Sequence, residues 1–196
     1  MKKNILFFYF LTFSITIWAQ NNNCNLKLLN NSKNVHLIDA EEAICISKKS
    51  DQKYSLFYTF GIWCEPCIKD LPDVLHFVAE EKIPLNVIIK DKEKDPLTFK
   101  AIKYLKLTED KWQNVYGKNF KINILILKDS NGRPNRKYKK FLTKITPEKF
   151  EIIDSMSKLI LINNKGEVLM VTSYKDNKGK GKSEMIHNLI KPLIIK

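Results

Sequence analysis

The chain has few of the residues from which metal centres are built. Its 196 residues include four cysteines and three histidines. A structural zinc site uses four Cys or His ligands at short, paired spacings, and one such pair is present, at positions 64 and 67. The other candidates are scattered along the chain: Cys24, Cys45, His36, His76 and His187. Because they form no second pair, we predict neither a bound metal nor another cofactor.

The chain also lacks an apolar run long enough to cross a membrane. Residues 1–4 are short and basic, residues 5–18 are apolar or weakly polar, and Ala19 precedes the polar segment 20–23. A run of about 14 residues is shorter than the ~20 that span a bilayer. The order of a basic start, an apolar stretch and a small residue is typical of a secretory signal peptide. We therefore expect cleavage near Ala19 and a periplasmic or cell-envelope location.

Acidic residues are outnumbered by basic ones, 21 to 34, which gives a formal charge of +13. The basic residues are densest at 133–144 and 175–182. Neither run has aromatic residues interleaved at a base-reading spacing, so we do not expect the protein to bind nucleic acid. The pattern is typical of a solvated lysine-rich surface. Peripheral contact with anionic lipid or with an acidic partner is the alternative.

Cys64 and Cys67 follow a strand-like run at 54–60 and begin a helical pattern. At a helix N-terminus, the unpaired N–H groups and the helix dipole favour a thiolate. The second cysteine is one turn further on, close enough to form a disulfide with the first. This arrangement predicts thiol–disulfide exchange, with Cys64 as the nucleophile and Cys67 as the resolving thiol. Glu65 places a negative charge beside Cys64, which makes the thiolate less favourable and indicates a reducing dithiol.

The segment 60–72, FGIWCEPCIKDLP, resembles the active site of the thioredoxin superfamily. It is most similar to the TlpA/ResA-like branch, which comprises exported thiol–disulfide oxidoreductases, several of which reduce apocytochrome c before haem attachment. The resemblance implies that Trp63 and Pro66 shape the active site. It also implies protein disulfide or dithiol substrates, an upstream membrane electron donor and a monomer. Pro72 within the helical pattern predicts a kink rather than an end of the helix.

A second similarity lies at 158–171, where the sequence predicts two strands joined by a turn. In the resembling family an active-site cis-proline precedes this hairpin, but here Ser157 follows Met156. A cis peptide bond before a residue other than proline costs ~2.5–4 kcal/mol, so we expect a trans bond or a rebuilt loop. We expect Met156 to cover the thiols and the substrate range to be narrow. Tyr58 replaces the buried acid that thioredoxins often carry, so that acid's proton-relay role is not carried over.

The remaining chain alternates between strand and helix patterns, which predicts an α/β protein with a thioredoxin-like fold: a central mixed sheet flanked by helices. Predicted strands lie at 35–38, 54–60, 85–89, 123–127, 158–163 and 167–171. Predicted helices lie at 39–49, 95–107, 137–144 and 183–193, in addition to the active-site helix, and Asp39 and Glu42 form a capping box for the first of these. We assign residues 1–19 to the signal peptide, 20–50 to an N-terminal extension and 51–196 to the thioredoxin-like domain, with a central insertion at about 97–150.

Two further points have alternatives. Cys45 is interpreted as a small buried hydrophobic residue, and a Cys24–Cys45 disulfide is the alternative. The 64–67 pair could be structural in a thioredoxin-fold binding module. It could also bind a soft metal through its thiolates.

Overall fold

The computed structural model describes residues 24, 26–29, 35–128, 133–177 and 181–195. The signal peptide predicted at 1–19 lies outside these residues. Within the described ranges, no helix has both the length and the apolar character needed to cross a bilayer.

Strands and helices alternate along the chain. The strands are β1 (Lys27–Leu28), β2 (Val35–Ile38), β3 (Tyr54–Phe60), β4 (Leu85–Ile89), β5 (Ile122–Leu127), β6 (Leu159–Asn163) and β7 (Val168–Val171). The helices are α1 (Ala40–Lys48), α2 (Glu65–Glu80), α3 (Pro96–Tyr116), α4 (Pro134–Ile145), α5 (Tyr174–Asn177), α6 (Lys182–Met185) and α7 (Lys191–Ile194), and a π-helical turn, Ile186–Ile190, joins the last two.

The described strands form one mixed sheet in the order β1-β2-β5-β4-β3-β6-β7. Strands β3, β4, β5 and β2 are parallel, whereas β6 runs antiparallel to β3, and β7 antiparallel to β6. The β3–α2–β4 unit and the β6–β7 hairpin followed by helices reproduce the predicted thioredoxin order. The α/β fold class with helices flanking a central mixed sheet is therefore confirmed. Strand β5, from the predicted central insertion, lies between β4 and β2.

Both faces of the sheet are covered, which explains why its central strands are almost continuously apolar. On one face, Leu56, Tyr58 and Phe60 pack in a cluster with side chains of α2, α3 and the π-helical turn. On the other face, Phe57 packs in a cluster with side chains of α1 and α4. Because β3 contributes buried side chains to both clusters, the residues that follow it are held on a rigid edge.

Most predicted elements are confirmed, and the differences have identifiable causes. Helix α2 runs through Pro72, as predicted. Helix α3 continues to Tyr116 instead of ending near Leu107, because Trp112 stacks on Tyr116 and on Phe120 and so keeps a polar stretch of the helix packed. The predicted closing helix is divided by the π-helical turn. Strand β1 and helix α5 have no counterpart in the prediction.

The N-terminal segment is fastened to the body of the protein. A disulfide joins Cys24 to Cys45, with 5.7 Å between the Cα atoms. The interpretation of Cys45 as an unpaired hydrophobic residue is therefore wrong, because β1 pairs with β2 and brings Cys24 beside α1. A crosslink that closes a loop of this size stabilises a fold by about 3 kcal/mol in chain-entropy terms.

A buried lysine lies immediately before β6. Lys158 is 1% exposed, and its ammonium donates a hydrogen bond to the Thr172 carbonyl oxygen at 3.0 Å. Burial lowers the pKa of Lys158 to about 8, and the surrounding carboxylates, Asp176 foremost, oppose this effect. The lysine is therefore charged at neutral pH in a site that favours the neutral amine.

We predict a pH-dependent stability difference between the parent chain and Lys158→Met. At pH 7 the lysine is protonated in both folded and unfolded states, so the parent bears the full cost of burying the charge. Above pH 8 the folded state loses this proton first, and the parent gains stability relative to the variant. Chemical denaturation at pH 7 and pH 9.5 should show a relative gain of about 1 kcal/mol, once partial hydration of the ammonium is allowed for. A constant difference would contradict the lowered pKa.

Candidate active site

The dithiol lies where β3 ends and α2 begins. Cys64 is the N-cap residue of α2, and its sulfur accepts a hydrogen bond from the Cys67 backbone N–H at 3.2 Å. A turn closed by the Cys64 N–H and the Gly61 carbonyl, 3.0 Å apart, connects the strand to the helix. Pro66 occupies the first turn of the helix, where a missing N–H has no cost. The predicted strand–dithiol–helix arrangement is therefore present.

The two cysteines differ in exposure. They are joined by a disulfide, with 5.2 Å between the Cα atoms. Cys64 is 7% exposed, whereas Cys67 is fully buried. An external thiol or disulfide can therefore approach Cys64, while Cys67 is placed to react with Cys64 from inside. This geometry can carry out thiol–disulfide exchange by two consecutive attacks.

Trp63, the residue before Cys64, has an exposed side chain. Its ring is half-exposed, and its indole N–H donates to both carboxylate oxygens of Asp91, at 2.9 and 3.1 Å. The Lys90 ammonium lies 5.6 Å from the centroid of the Trp63 ring. Burial raises the pKa of the Asp91 carboxyl, and the bond from Trp63 opposes this change. The Trp63 ring is thus held in place by polar contacts from the two residues that follow β4.

Sequence reasoning did not identify Asp91, although a signal was available. It lies two residues beyond β4, just as Cys64 lies four residues beyond β3, and these two strands are parallel neighbours. Side chains after the carboxyl ends of parallel strands meet at one edge of a sheet. A polar residue directly after β4 is therefore a candidate neighbour of the dithiol.

Glu65 and Pro66 are both exposed. A carboxylate in water acts weakly on a neighbouring thiolate because the solvent screens its charge. Glu65 therefore disfavours the Cys64 thiolate less strongly than its position in the sequence implied.

The loop before β6 adjoins the dithiol. The Met156–Ser157 peptide bond is trans, which confirms that expectation, and Ser157 has a left-handed backbone with φ +59°. Met156 is partly buried against the cluster that contains both cysteines. Tyr58 links the loop to α2, because its hydroxyl donates to the Cys67 carbonyl at 2.9 Å and lies 3.0 Å from the Ser157 hydroxyl.

Tyr58 occupies the position of the missing acid but does not replace its charge. Burial raises the pKa of the Tyr58 phenol far above its usual range. The group is therefore neutral and donates a hydrogen bond at physiological pH. Sequence reasoning also missed Asp70 and Lys182, which contact Ser157 from two different helices.

Other parts of the described chain offer no recognisable metal centre. Within the described residues, no three His, Cys, Asp or Glu side chains come together as metal ligands. Two cavities, of about 650 and 310 Å³, lie at the opposite edge of the sheet around Gln52, Pro84 and Asn123. Neither cavity is lined by a residue of the dithiol site, so they are separate from it.

Comparison with known proteins adds little to this description. No family model matches the chain, and no curated protein matches it. Among solved structures, the chain is similar to a thioredoxin-like protein from Aeropyrum pernix, with 14% sequence identity over 74% of this chain and 80% of that chain and a TM-score of 0.38. A TM-score this low does not support an assignment of fold or function. The thioredoxin-like assignment rests on the order of strands and helices and on the position of the dithiol.

We predict that Gly61→Ala will displace the Trp63 ring. A Cβ at position 61 would lie 3.0 Å from Cε2 of that ring, closer than ordinary van der Waals contact. The added methyl group should push the ring aside, weaken its hydrogen bonds to Asp91 and destabilise the fold by about 1 kcal/mol. The indole N–H resonance of Trp63 reports the displacement. Gly181→Ala is the matched control because no atom of the described residues lies within 4 Å of its Cβ, and an unmoved resonance in Gly61→Ala would contradict the prediction.

Proposed function

We propose that the protein is an exported thiol–disulfide oxidoreductase that reduces disulfides in proteins of the cell envelope. The observation that carries this proposal is the Cys64–Cys67 disulfide at the start of α2, with Cys64 slightly exposed, at 7%, and Cys67 fully buried. A purely structural disulfide does not need this placement at a helix N-terminus. An exchange site does, because the nucleophile must be both activated and reachable.

The mechanism follows from this placement. In the reduced protein, the Cys64 thiolate attacks one sulfur of the substrate disulfide, and the substrate S–S bond breaks as a mixed disulfide forms. The other substrate sulfur leaves as a thiolate and takes a proton from solvent. The Cys67 thiolate then attacks the Cys64 sulfur, which releases the second substrate thiolate. The substrate has gained two electrons, and the chain now holds the Cys64–Cys67 disulfide.

The surroundings of the dithiol support each step. The Cys67 N–H points at the Cys64 sulfur and stabilises negative charge there, together with the free N–H groups of the first helical turn. Cys67 is enclosed by apolar side chains and so is kept from external disulfides. The half-exposed Trp63 ring provides an apolar surface on which part of a substrate can rest.

The cellular setting is part of the proposal and rests on the sequence. The leader at 1–19 supports export, and the Glu-Pro pair between the cysteines supports the reducing direction and a role in cytochrome c maturation. The cycle then requires an upstream membrane electron donor that returns two electrons to the Cys64–Cys67 disulfide. We propose that the protein acts as a monomer with a solvated lysine-rich surface, and peripheral contact of that surface with the membrane is the alternative.

The first test separates the roles of the two cysteines. In Cys67→Ser, the mixed disulfide at Cys64 cannot be resolved, so the variant should accumulate covalent adducts with envelope proteins. The matched variant, Cys64→Ser, should trap none. Non-reducing electrophoresis after acid quenching measures both. Trapping by the Cys64→Ser variant would reverse the roles, and trapping by neither would favour the binding-module alternative.

The second test measures direction. We expect a reduction potential below about −200 mV for the Cys64–Cys67 couple, on the glutaredoxin-to-thioredoxin part of the scale. Equilibration in glutathione redox buffers, followed by thiol alkylation and mass spectrometry of the 64–67 peptide, gives the value. A potential near that of the strong oxidants, about −120 mV, would overturn the reductant assignment while leaving the exchange chemistry intact.

A further inference from the structure

Ser157 is held by all of its polar atoms. Its N–H donates to the Thr59 carbonyl at 3.2 Å, and its own carbonyl accepts from the Lys182 ammonium at 2.6 Å. Its hydroxyl donates to the Asp70 carboxylate at 2.6 Å and lies 3.0 Å from the Tyr58 hydroxyl. These partners come from β3, α2 and α6. One residue beside the dithiol is therefore tied to three separate elements.

Asp70 and Lys182 also contact each other, which closes a ring with Ser157. The Lys182 ammonium lies 3.3 Å from the same Asp70 oxygen that accepts the Ser157 hydroxyl. Lys182 is 3% exposed and the Asp70 side chain 17% exposed. A buried ammonium is costly unless it is paired. Among the described residues, the Lys182 ammonium contacts the carboxylate that holds the Ser157 hydroxyl and the Ser157 carbonyl itself.

The ring holds an uncommon backbone conformation. A residue with a Cβ rarely adopts φ near +60°, and it does so where its surroundings fix it. Proline could not take this place without rebuilding the loop, because its φ is fixed near −65° and it has no N–H to donate to Thr59. The ring of contacts among Ser157, Asp70 and Lys182 therefore fixes the loop against α2, as a conformationally rigid residue would.

We propose that Asp70 and Lys182 are positioning residues that hold the Ser157 loop against the active-site helix and thereby restrict which disulfides reach Cys64. This inference rests on the proposed oxidoreductase function. Met156, the neighbour of Ser157, packs against the cluster containing both cysteines, and Cys64 is 7% exposed. A disulfide within a folded protein requires this loop to make room. A small reagent requires much less movement of the loop to reach Cys64.

The test compares small and bulky reagents on the reduced full chain. Cys64 is alkylated with iodoacetamide or with fluorescein maleimide, and the adduct is quantified on the Cys64 peptide by mass spectrometry. In Asp70→Asn and Lys182→Met, the ratio of the maleimide rate to the iodoacetamide rate should rise about fivefold, the size of effect expected within one polar network. A role in stability alone would lower the melting temperature and leave this ratio unchanged.

The chain offers a matched control. Lys191 lies 3.3 Å from Glu81, an ion pair that joins the C-terminal helices to the other end of α2. Lys191→Met removes an ion pair that also joins the C-terminal segment to the region of α2 but does not involve Ser157, and it should leave the ratio unchanged. If Lys182→Met fails to fold, Asp70→Asn and Ser157→Ala carry the test, because both keep the shape of the site. A parental ratio in the folded variants overturns the proposal, and so does an equal rise in Lys191→Met.

A second readout separates this inference from the proposed function. The rates of reduction of insulin and of 5,5′-dithiobis(2-nitrobenzoate) are compared for the same variants. Asp70→Asn and Lys182→Met should raise the insulin rate relative to the rate with the small disulfide. If the parent chain reduces neither compound, the oxidoreductase function fails, while the alkylation ratio still decides whether the ring restricts access to Cys64. If it reduces both and the relative rate does not move, the positioning role fails alone.

Discussion

The site depends on the burial of strand β3 between β4 and β6. Its parallel partner β4 and its antiparallel partner β6 pair with it along most of its length. The carboxyl end of β3 leads into the dithiol, and the antiparallel β6 begins at the same edge, two residues after Ser157. One set of backbone hydrogen bonds therefore brings two segments together that are about ninety residues apart in sequence. This strand pairing is sufficient to bring the dithiol and the Ser157 loop together.

Two buried lysines lie close to the edge where these segments meet. Lys158 and Lys182 are both almost fully buried, and each uses a backbone carbonyl as an acceptor. Desolvation disfavours the charge of each ammonium, and only Lys182 has a carboxylate within ion-pair distance among the described residues. A fold that tolerates these costs beside its dithiol gains directional contacts that apolar packing cannot provide. Such contacts define one loop conformation rather than a family of them.

Local signals were sufficient for the elements, and for the dithiol within them. The bounds of β3 agree with the prediction to the residue, and the capping box of Asp39 and Glu42 is present. These features depend on side chains within four positions of one another or on one continuous apolar run. The placement of Cys64 at the start of a helix followed from the same local reading.

Contacts between distant residues could not be predicted in the same way. Ser157 and Asp70 are 87 residues apart, and no periodicity relates them. The Cys24–Cys45 bond depends on how β1 pairs with β2, which the sequences of two such short strands do not reveal. The sequence did identify Ser157 as a departure from a family pattern. What it could not provide was the set of partners that make the departure stable.

The π-helical turn at Ile186–Ile190 has a consequence for how the C-terminus is attached. Lys182 and Lys191 are nine residues apart, which is about two and a half turns of a regular α-helix, so their side chains would start from opposite sides. A π-turn adds a residue to one turn and so shifts the angular phase of everything after it. Both lysines reach α2, one at Asp70 and the other at Glu81. The C-terminal segment therefore lies along α2 and is fastened to it by two ion pairs. The extra residue in the π-helical turn lets both lysines reach the same helix.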